Sequence, residues 1–363
     1  MSMELNRQQA QLAFVESGEN IVIGTLDGVG VSLEALKKID DDSCYVVESF
    51  SSGLTAKVYH LRIRGRDWTL KRKRPESLVK NVDGQTSFLN EVQRRRDLTA
   101  LKQKNPEKYS HIVETQYASL NDGILLSPWI EGSLITHFDA DIFKQIFSTI
   151  SELELVGLFE WDFCPGNILI DKMNQIKLFD FGYMYQFKPM TQFNSNGQDT
   201  PLFNGVERFE TRFLFDYLLR NPLDLTLEQI LDLYRVEKSA ALAVYQFKRD
   251  KLIAGGADSP VVEWVTNSID QWQHALESPS GLEALYRIES FRSNSLDLMD
   301  DLHGKSCSPI TLKKADQVLQ YIENDFDVLK QANGFFFGDE NMSQAELLSK
   351  YRGLKTDAKK YQL

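Results

Sequence analysis

Three side chains near the middle of the chain have types and a spacing that could serve chemistry in one site. Asp162 is followed five positions later by Asn167, and Asp180 lies thirteen positions beyond Asn167. A carboxylate such as that of Asp162 can accept a proton from a hydroxyl group. The side-chain oxygens of an asparagine and an aspartate are ligands that suit Mg²⁺. The ordered set therefore predicts a general base accompanied by two magnesium ligands.

Short apolar segments are expected to position these groups. Residues 168–170 and 176–179 read as a pair of strands that would present Asn167 and Asp180 at their ends. Pro165 and Gly166 stand immediately ahead of Asn167 and predict a tight loop there.

The first part of the chain carries the alternation and the turn residues of antiparallel strands. Strands are predicted at residues 44–48, 57–63, 68–72, 112–120 and 124–126, with hairpin turns at residues 64–67 and 121–123. A helix is predicted over residues 87–102 because Phe88, Leu89, Val92 and Leu98 are spaced for one apolar face. Residues 1–44 read as an extension with a helix near 7–16 and a strand near 21–24.

Beyond Gly132 the pattern becomes mainly helical. A helix over residues 143–158 leads into the segment that carries Asp162, and later helices are expected to begin near Thr226, Pro260, Gly281 and Thr311. Thr226 and Gln229 fit a capping box at one of these starts. A β-rich part with one main helix, followed by a larger helical part, predicts a two-lobed α+β plan.

Composition excludes several classes of protein. With 363 residues, 42% hydrophobic and 26% charged, the chain suits a globular protein with more than one core. The formal charge of −11 argues against general nucleic-acid binding. No run approaches the roughly 20 apolar residues that span a bilayer, and no signal peptide is apparent. Three cysteines without metal-like spacing favour a reducing, cytoplasmic location.

From about Tyr45 to Leu219 this layout resembles the protein-kinase-like superfamily. The resemblance rests on the DxxxxN spacing of Asp162 and Asn167, followed by the Asp-Phe-Gly that begins at Asp180. It implies a bilobal fold, ATP and Mg²⁺ as cofactors, Asp162 as the catalytic residue, and Asn167 and Asp180 as metal ligands. The expected ranges are an extension at 1–44, a small lobe at 45–130, the core of a large lobe at 131–222 and a helical part at 223–363.

The glycine-rich loop of this superfamily corresponds to residues 51–58. Only its central glycine is present, as Gly53, while Ser51 and Ala56 occupy the other two positions. The resemblance implies that Ser51, Ser52 and Gly53 lie against the nucleotide phosphates. A plain β-turn at Gly53 is the alternative, and the motif alone favours it.

Two lysines compete for the role of the one that pairs with the α- and β-phosphates. Strand alternation places Thr69, Lys71 and Lys73 on one face. Lys71 is preferred because it puts the small Thr69 under the adenine and because Glu91, twenty positions on, stands where the family has the glutamate that pairs with this lysine. The alternative is an exposed lysine in a basic run.

The hinge of the superfamily corresponds to residues 125–132. With Ser127 as gatekeeper, the resemblance implies that the carbonyl of Pro128 accepts the adenine amino group and that the Ile130 N–H donates to the ring. A tight exit from an edge strand is the structural alternative.

Several residues depart from the family pattern. Glu160 and Trp161 replace the His and Arg that precede the catalytic Asp in many protein kinases, and Cys164 replaces a lysine. Activation through a phosphorylated loop is therefore not expected. Glu160 is interpreted as a solvated turn residue, with a supporting partner of the residues around Asp162 as the alternative. The basic run at residues 94–96 is interpreted as a solvated face, with a docking site for an anionic partner as the alternative.

The sequence thus predicts an ATP- and Mg²⁺-dependent phosphotransferase, which we expect to be an atypical bacterial-type kinase. The Asp-x-x-Pro-Gly-Asn-Ile-Leu form is similar to aminoglycoside and choline kinases, which favours a small-molecule acceptor with a hydroxyl group. A Ser/Thr protein kinase is the alternative, and a nucleotide-binding pseudokinase scaffold is an alternative of another class. Nucleic acid and membrane partners are not expected.

Overall fold

The computed structural model describes residues 2–51, 53–220 and 225–363. The chain divides into two compact units. The first consists of Met1–Ile135 and Gly166–Tyr185, and the second of Thr136–Pro165 and Gln186–Leu363. The candidate phosphate-loop residue Ser52 lies outside the described residues, as does the predicted boundary at 222/223. The four predicted domain ranges remain predictions.

Helices and strands account for most of the described chain. The helices are α1 (Met3–Ser17), α2 (Leu33–Lys37), α3 (Val82–Lys104), α4 (Ala140–Leu155), α5 (Gly205–Phe209), α6 (Phe215–Arg220), α7 (Leu227–Ala254), α8 (Ser259–Leu276), α9 (Pro279–Gly304), α10 (Pro309–Gln331) and α11 (Gln344–Lys360). The strands are β1 (Val22–Gly24), β2 (Val46–Phe50), β3 (Ala56–Ile63), β4 (Arg66–Lys73), β5 (Tyr117–Ser119), β6 (Ile124–Pro128), β7 (Gly132–Leu134), β8 (Leu158–Glu160), β9 (Ile168–Asp171), β10 (Ile176–Leu178) and β11 (Met184–Gln186). A π-helical turn at Glu210–Leu214 joins α5 to α6. The prediction of an α+β chain with a larger helical part is confirmed.

The first unit is built on a six-stranded antiparallel sheet in the order β1-β5-β6-β4-β3-β2. Strands β3 and β4 pair from Ala56↔Lys73 to Ile63↔Arg66. Their two-residue turn has positive φ at both Arg64 and Gly65, which is the twist that closes a tight hairpin. Because β1 pairs only with β5, the short strand that follows α1 forms one edge of this sheet.

The period-2 alternation of the strands gives the sheet two buried faces. Leu126 of β6 belongs to one apolar cluster, whereas its neighbour Leu125 belongs to another that includes Phe88 and Val92 of α3. Lys71 of β4 is the register partner of Leu125. The strand therefore directs Lys71 toward the face that α3 covers.

A second, three-stranded sheet of the first unit has the order β10-β9-β7. Strands β9 and β10 form the pair predicted from their apolar runs, with Leu178 opposite Ile168. The Phe179 N–H donates to the Asn167 carbonyl over 3.1 Å, which extends the pairing by one step. The segments that carry Asn167 and Asp180 are thereby held side by side.

The second unit is a helical assembly whose helix starts are marked in the sequence. Thr226 and Gln229 form the capping box predicted for α7. Pro is found in the first turn of α8, α9 and α10, where its missing N–H costs no intrahelical bond. Helices α9, α10 and α11 enclose a common apolar cluster that includes Phe291, Ile322 and Tyr351.

Two predicted elements have different bounds in the structure: one strand is shorter than expected, and one helix begins and ends three residues earlier. The predicted strand at 112–120 is regular only over Tyr117–Ser119. The predicted helix at 143–158 ends at Leu155, because Gly157 takes a φ of 82° that right-handed helix excludes. Strand β8 follows at once. Within the described ranges, no helix combines the length and apolarity needed to cross a bilayer.

Candidate active site

Lys71 lies at the centre of a buried ion-pair cluster in the first unit. Its Nζ is 2.9 Å from Glu91 Oε2 and 2.8 Å from Asp180 Oδ2. Lys71 is only 6% exposed, whereas Lys73, the other candidate lysine, is exposed at the end of β4. The structure therefore brings three of the predicted site residues together in one unit.

Glu91 is fixed from its own helix as well. Arg95, one turn further along α3, places Nη2 3.1 Å from Glu91 Oε1. Arg94 and Arg95 are both buried. The interpretation of this basic run as a solvated face is therefore wrong for these two residues. The i,i+4 spacing of Glu91 and Arg95 was the signal in the sequence that could have revealed the pair.

The electrostatics of the cluster favour its charged form. Burial disfavours the ammonium of Lys71, but the carboxylates of Asp180 and Glu91 outweigh it and raise the pKa of Lys71 above its ordinary value. Burial likewise opposes ionisation of Asp180, yet Lys71 outweighs it and holds the pKa of Asp180 below its ordinary value. At neutral pH Lys71 is a cation and Asp180 an anion.

The segment that begins at Asp180 is held to α3 by a residue that sequence reasoning missed. Asn90, next to Glu91, donates through Nδ2 to the carbonyls of Phe181 (3.2 Å), Gly182 (3.0 Å) and Met184 (2.6 Å). Asp180 itself has a φ of 66°, a left-handed conformation that aspartate tolerates better than most residues. Nothing in the sequence near Asn90 signalled this role.

Asp180 and Asn167 carry side-chain oxygens of the kind that Mg²⁺ binds. Asp180 exposes 34% of its side chain, and Asn167 occupies the 3₁₀ turn ahead of β9. Among the described residues no group of three or more His, Cys, Asp or Glu side chains is arranged as a metal cage. Mg²⁺ usually binds through one or two carboxylates with phosphate and water completing its shell, so this sparse donor set suits it.

The other predicted nucleotide-binding residues lie in turns of the first unit. Gly53 and Ser51 belong to the β2–β3 connection, where Arg74 donates to both of their carbonyls over 2.8 Å. A Cβ on Gly53 would come within 2.4 Å of the Ala56 carbonyl oxygen, so this close turn requires glycine. Arg74 thus fixes a loop that the sequence interpreted only through its small residues.

The predicted hinge residues close strand β6. Pro128 is the last residue of β6 and is the register partner of Trp68. The carbonyl of Ile130 accepts from the Gly132 N–H over 3.0 Å, and the Trp129 N–H donates to the Asp67 carbonyl over 3.1 Å. These bonds make a tight exit from the strand.

A cavity of about 260 Å³ in the first unit lies at the start of α3. Its lining includes Thr55, Lys73, Arg74, Lys80 and Phe88. None of Lys71, Glu91 and Asp180 lines it, so the cavity is distinct from the ion-pair cluster.

Asp162 belongs to the second unit, in the segment that follows β8. Its carboxylate Oδ1 accepts from Arg212 Nε over 2.9 Å, and its backbone N–H donates to Glu160 Oε1 over 2.8 Å. Glu160 is buried on β8. The preferred interpretation of Glu160 as a solvated turn residue is therefore wrong, and the contact agrees with the alternative, because its side chain accepts from the backbone N–H of Asp162.

Trp161 is held by polar contacts on both sides. Its indole Nε1 donates to Ser195 Oγ over 2.8 Å, and its carbonyl accepts from Arg208 Nε over 3.2 Å. The Arg208 guanidinium also stacks over the indole ring, 5.3 Å from its centroid. These contacts give the segment before Asp162 a fixed conformation.

Arg212 connects Asp162 to helix α9. Its Nη1 binds Asp297 closely and lies 3.6 Å from Asp301 Oδ1. Burial would disfavour the guanidinium, but the neighbouring carboxylates of Asp162 and Asp301 outweigh it and raise the pKa of Arg212 further. Burial raises the pKa of Asp301 to about 6 in spite of Arg212. Sequence reasoning missed Arg212, since fifty positions separate it from Asp162.

Comparison with known proteins shows a partial similarity to a kinase. No protein-family model matches this chain. A stretch of 83 residues is 34% identical to sperm motility kinase 2A of Mus musculus and makes up 23% of this chain. It covers only 14% of the mouse protein. The match indicates a kinase-like relationship over part of the chain, and it gives no support to the expectation of a bacterial type.

Proposed function

We propose that this protein is an ATP- and Mg²⁺-dependent phosphotransferase of the protein-kinase-like fold. The observation that carries the proposal is the buried pair of Lys71 and Glu91, 2.9 Å apart, with the partly exposed Asp180 2.8 Å from Lys71. Burying the lysine and the glutamate costs several kcal/mol of desolvation per ion before pairing. A cluster of this kind, at the positions that the family pattern assigns to phosphate and metal handling, is a candidate functional site. The partial similarity to a kinase supports the same reading.

On the donor side, Lys71 binds the α- and β-phosphates of ATP and Glu91 keeps its ammonium in place. Ser51, Ser52 and Gly53 form the loop over the phosphates, and the backbone of Pro128 and Ile130 receives the adenine. Asn167 and Asp180 would hold Mg²⁺. When bound, Mg²⁺ neutralises charge on the phosphate oxygens.

On the acceptor side, Asp162 orients the acceptor hydroxyl and takes its proton. The acceptor oxygen forms a bond to the γ-phosphorus as the bond from that phosphorus to the β–γ bridging oxygen breaks, and ADP leaves with the electron pair. Such transfer depends mostly on positioning and charge neutralisation. This requirement agrees with a segment in which Glu160, Trp161 and Asp162 are each held by a hydrogen bond.

Within this proposal the acceptor is a small molecule with a hydroxyl group. The supporting observation is the sequence Asp162-Phe163-Cys164-Pro165-Gly166-Asn167, whose loop form is that of small-molecule kinases. A cytoplasmic location follows from the cysteine pattern as part of the same proposal.

The purified protein, incubated with Mg²⁺ and γ-labelled ATP, tests this proposal. Lys71→Met should lower the rate of phosphate transfer by at least a hundredfold, because the mutation removes the cation from the cluster. Lys73→Met is the matched control: the same substitution two positions along β4, at an exposed lysine, should leave the rate within about threefold. Equal effects of the two substitutions would contradict the assignment of Lys71.

A nucleotide-binding scaffold without catalysis is the second candidate. Cys164 favours it, because it stands where the family has a lysine. If Mg²⁺-ATP raises the melting temperature but neither casein, a panel of metabolites nor water accepts the labelled phosphate, the scaffold replaces the phosphotransferase. Label on casein would instead favour a protein kinase.

A further inference from the structure

Arg212 is the basic residue that the structure adds to Asp162. It lies in the π-helical turn Glu210–Leu214, a rare geometry that often marks functional sites. Its Nε is 2.9 Å from Asp162 Oδ1. The two side chains are 20% and 23% exposed, so the pair is partly open to solvent. The Asp162 carboxylate therefore has a guanidinium as a neighbour at a face that a ligand can reach.

The guanidinium is fixed from the side opposite Asp162. Asp297 of α9 binds Arg212 Nη1 and is 1% exposed. Asp297 is itself held by Lys314 of α10, whose Nζ is also 3.3 Å from Asp216. Asp301 lies near the same Nη1 and accepts from Thr311 Oγ1 over 2.5 Å. The Arg212 guanidinium thus contacts Asp297 and Asp301 through Nη1, while its Nε donates to Asp162.

The chemistry of phosphate transfer explains what such a cation is for. Residues 160–164 contain two carboxylates and no lysine or arginine. An anionic phosphate that approaches Asp162 is repelled unless a positive charge stands nearby, and negative charge spreads over the phosphoryl oxygens as transfer proceeds. A guanidinium fixed in advance supplies that charge without reorganisation.

We infer that Arg212 is a positioning residue for phosphoryl transfer: its hydrogen bond holds the Asp162 carboxylate in a fixed orientation, and its guanidinium supplies the positive charge that Cys164 does not. The inference rests on the proposed function. It assigns the role to a residue fifty positions away from the loop, in a segment that no sequence motif marked. Lysine cannot replace it, because an ammonium cannot span Asp162 and Asp297 with two fixed donors.

The competing explanation is a structural ion pair that ties the Asp162 segment to α9. The two explanations differ in what Arg212→Lys does. A purely structural role predicts a lower melting temperature with a normal turnover number in the folded enzyme. The positioning role predicts a turnover number reduced at least tenfold while the KM for ATP changes less than threefold.

The experiment measures phosphate release from Mg²⁺-ATP, with water as acceptor, for Arg212→Lys and Arg212→Gln. Arg287→Lys is the matched control, because Arg287 also bridges two carboxylates of the second unit, Glu283 at 2.7 Å and Asp325 at 2.9 Å. We expect reductions of at least tenfold and a hundredfold for the two Arg212 variants and none for the control. If Arg212→Gln does not fold, Arg212→Lys, which keeps a cation against Asp297, decides the question.

A second measurement, the rate at which Cys164 is alkylated, does not depend on catalysis. Cys164 lies two positions from Asp162 and interacts electrostatically with Arg212. A cation next to a cysteine generally speeds its alkylation, so the reaction of Cys164 reports on the presence of the guanidinium. In a Cys44→Ser background Cys164 is the accessible thiol, since Cys307 is buried. Arg212→Gln should slow alkylation of Cys164 by iodoacetamide at pH 7.5 several-fold, and Arg287→Lys should not.

The outcomes separate the inference from the proposed function. Slower alkylation with undiminished phosphate release in the Arg212 variants shows a structural ion pair and overturns the inference alone. Unchanged alkylation shows that Arg212 does not act on the loop, which also overturns it. Absence of phosphate transfer in the unmutated protein, to any acceptor, removes the proposed function and the inference with it.

Discussion

Replacing Glu91 by glutamine should weaken both the fold of the first unit and its binding of nucleotide. Glu91 is 3% exposed and neutralises Lys71 through Oε2 and Arg95 through Oε1. Glutamine keeps the size of the side chain and one acceptor oxygen but removes the charge. Two buried cations then share the single carboxylate of Asp180, which lies 2.8 Å from Lys71.

The magnitude follows from the burial of the partners. Removing one member of a buried ion pair costs about 3–5 kcal/mol, since it leaves a charge that is neither solvated nor paired. Lys71 retains Asp180, so the loss in the free energy of unfolding should fall at the lower end, about 3 kcal/mol. Lys71 should then bind Asp180 more tightly, which competes with Mg²⁺ and weakens nucleotide binding at least tenfold.

Urea unfolding followed by tryptophan fluorescence measures the first effect, because Trp68 and Trp129 both belong to the first unit. The shift in melting temperature caused by Mg²⁺-ATP measures the second. Glu107→Gln, the same substitution at an exposed glutamate of this unit, is the control and should change neither quantity. In the double variant with Lys71→Met the unfolding loss should be smaller than the sum of the single losses, because the two side chains interact.

A loss below about 1 kcal/mol for Glu91→Gln, together with an unchanged response to Mg²⁺-ATP, would refute this reasoning. It would mean that water or another group solvates Lys71 and Arg95, so that the cluster neither stabilises the unit nor prepares a phosphate site.

Two further predictions concern buried charge in the second unit. Lys238 is completely buried and lies 2.5 Å from Glu210 and 2.6 Å from Glu289. Lys238→Met should therefore lower the free energy of unfolding, measured by urea titration, by about 3–5 kcal/mol. Lys360→Met is the control, because Lys360 pairs with Asp357 at the surface, and it should have no measurable effect. Burial raises the pKa of Glu207 from its ordinary 4.5 to about 7, so its stabilising contribution is complete below pH 4.5 and is lost as the pH rises through 7. The Glu207→Gln variant should accordingly be more stable than the unmutated protein at pH 8 by up to about 3 kcal/mol, at about 1.36 kcal/mol per pKa unit. Urea midpoints of the two proteins at pH 5 and pH 8 measure this difference. Equal midpoints at both pH values would contradict the prediction.

The sequence predicted the elements that local pattern specifies. The β3–β4 hairpin, the β9–β10 pair and the capping box at Thr226 were expected from alternation, turn residues and cap spacing, and each is present. Such features depend on neighbours within a few positions. The end of α4 was misplaced because the positive φ of Gly157 is a backbone property that apolar periodicity does not reveal.

The candidate site was predictable only in part. Lys71 was chosen over Lys73 because of its spacing to Glu91. In the structure Lys71 and Glu91 both lie in the ion-pair cluster. Arg95 and Glu160 were interpreted as solvated, because a charged residue on a predicted helix or turn is usually exposed. Each is buried against a carboxylate or a backbone N–H that the sequence does not place beside it.

By itself the sequence determined which chemical groups are present, their order, and the local elements that carry Lys71, Asn167, Asp162 and Asp180. Helix and strand periodicity act over a few residues, so this information is readable without a fold. The tertiary structure decided which charges meet. Only folding brings Arg212 to Asp162 across fifty positions, and only the register of β4 with β6 directs Lys71 toward Glu91. Charge pairing acts over a few ångströms in space, and no local pattern in the chain records it.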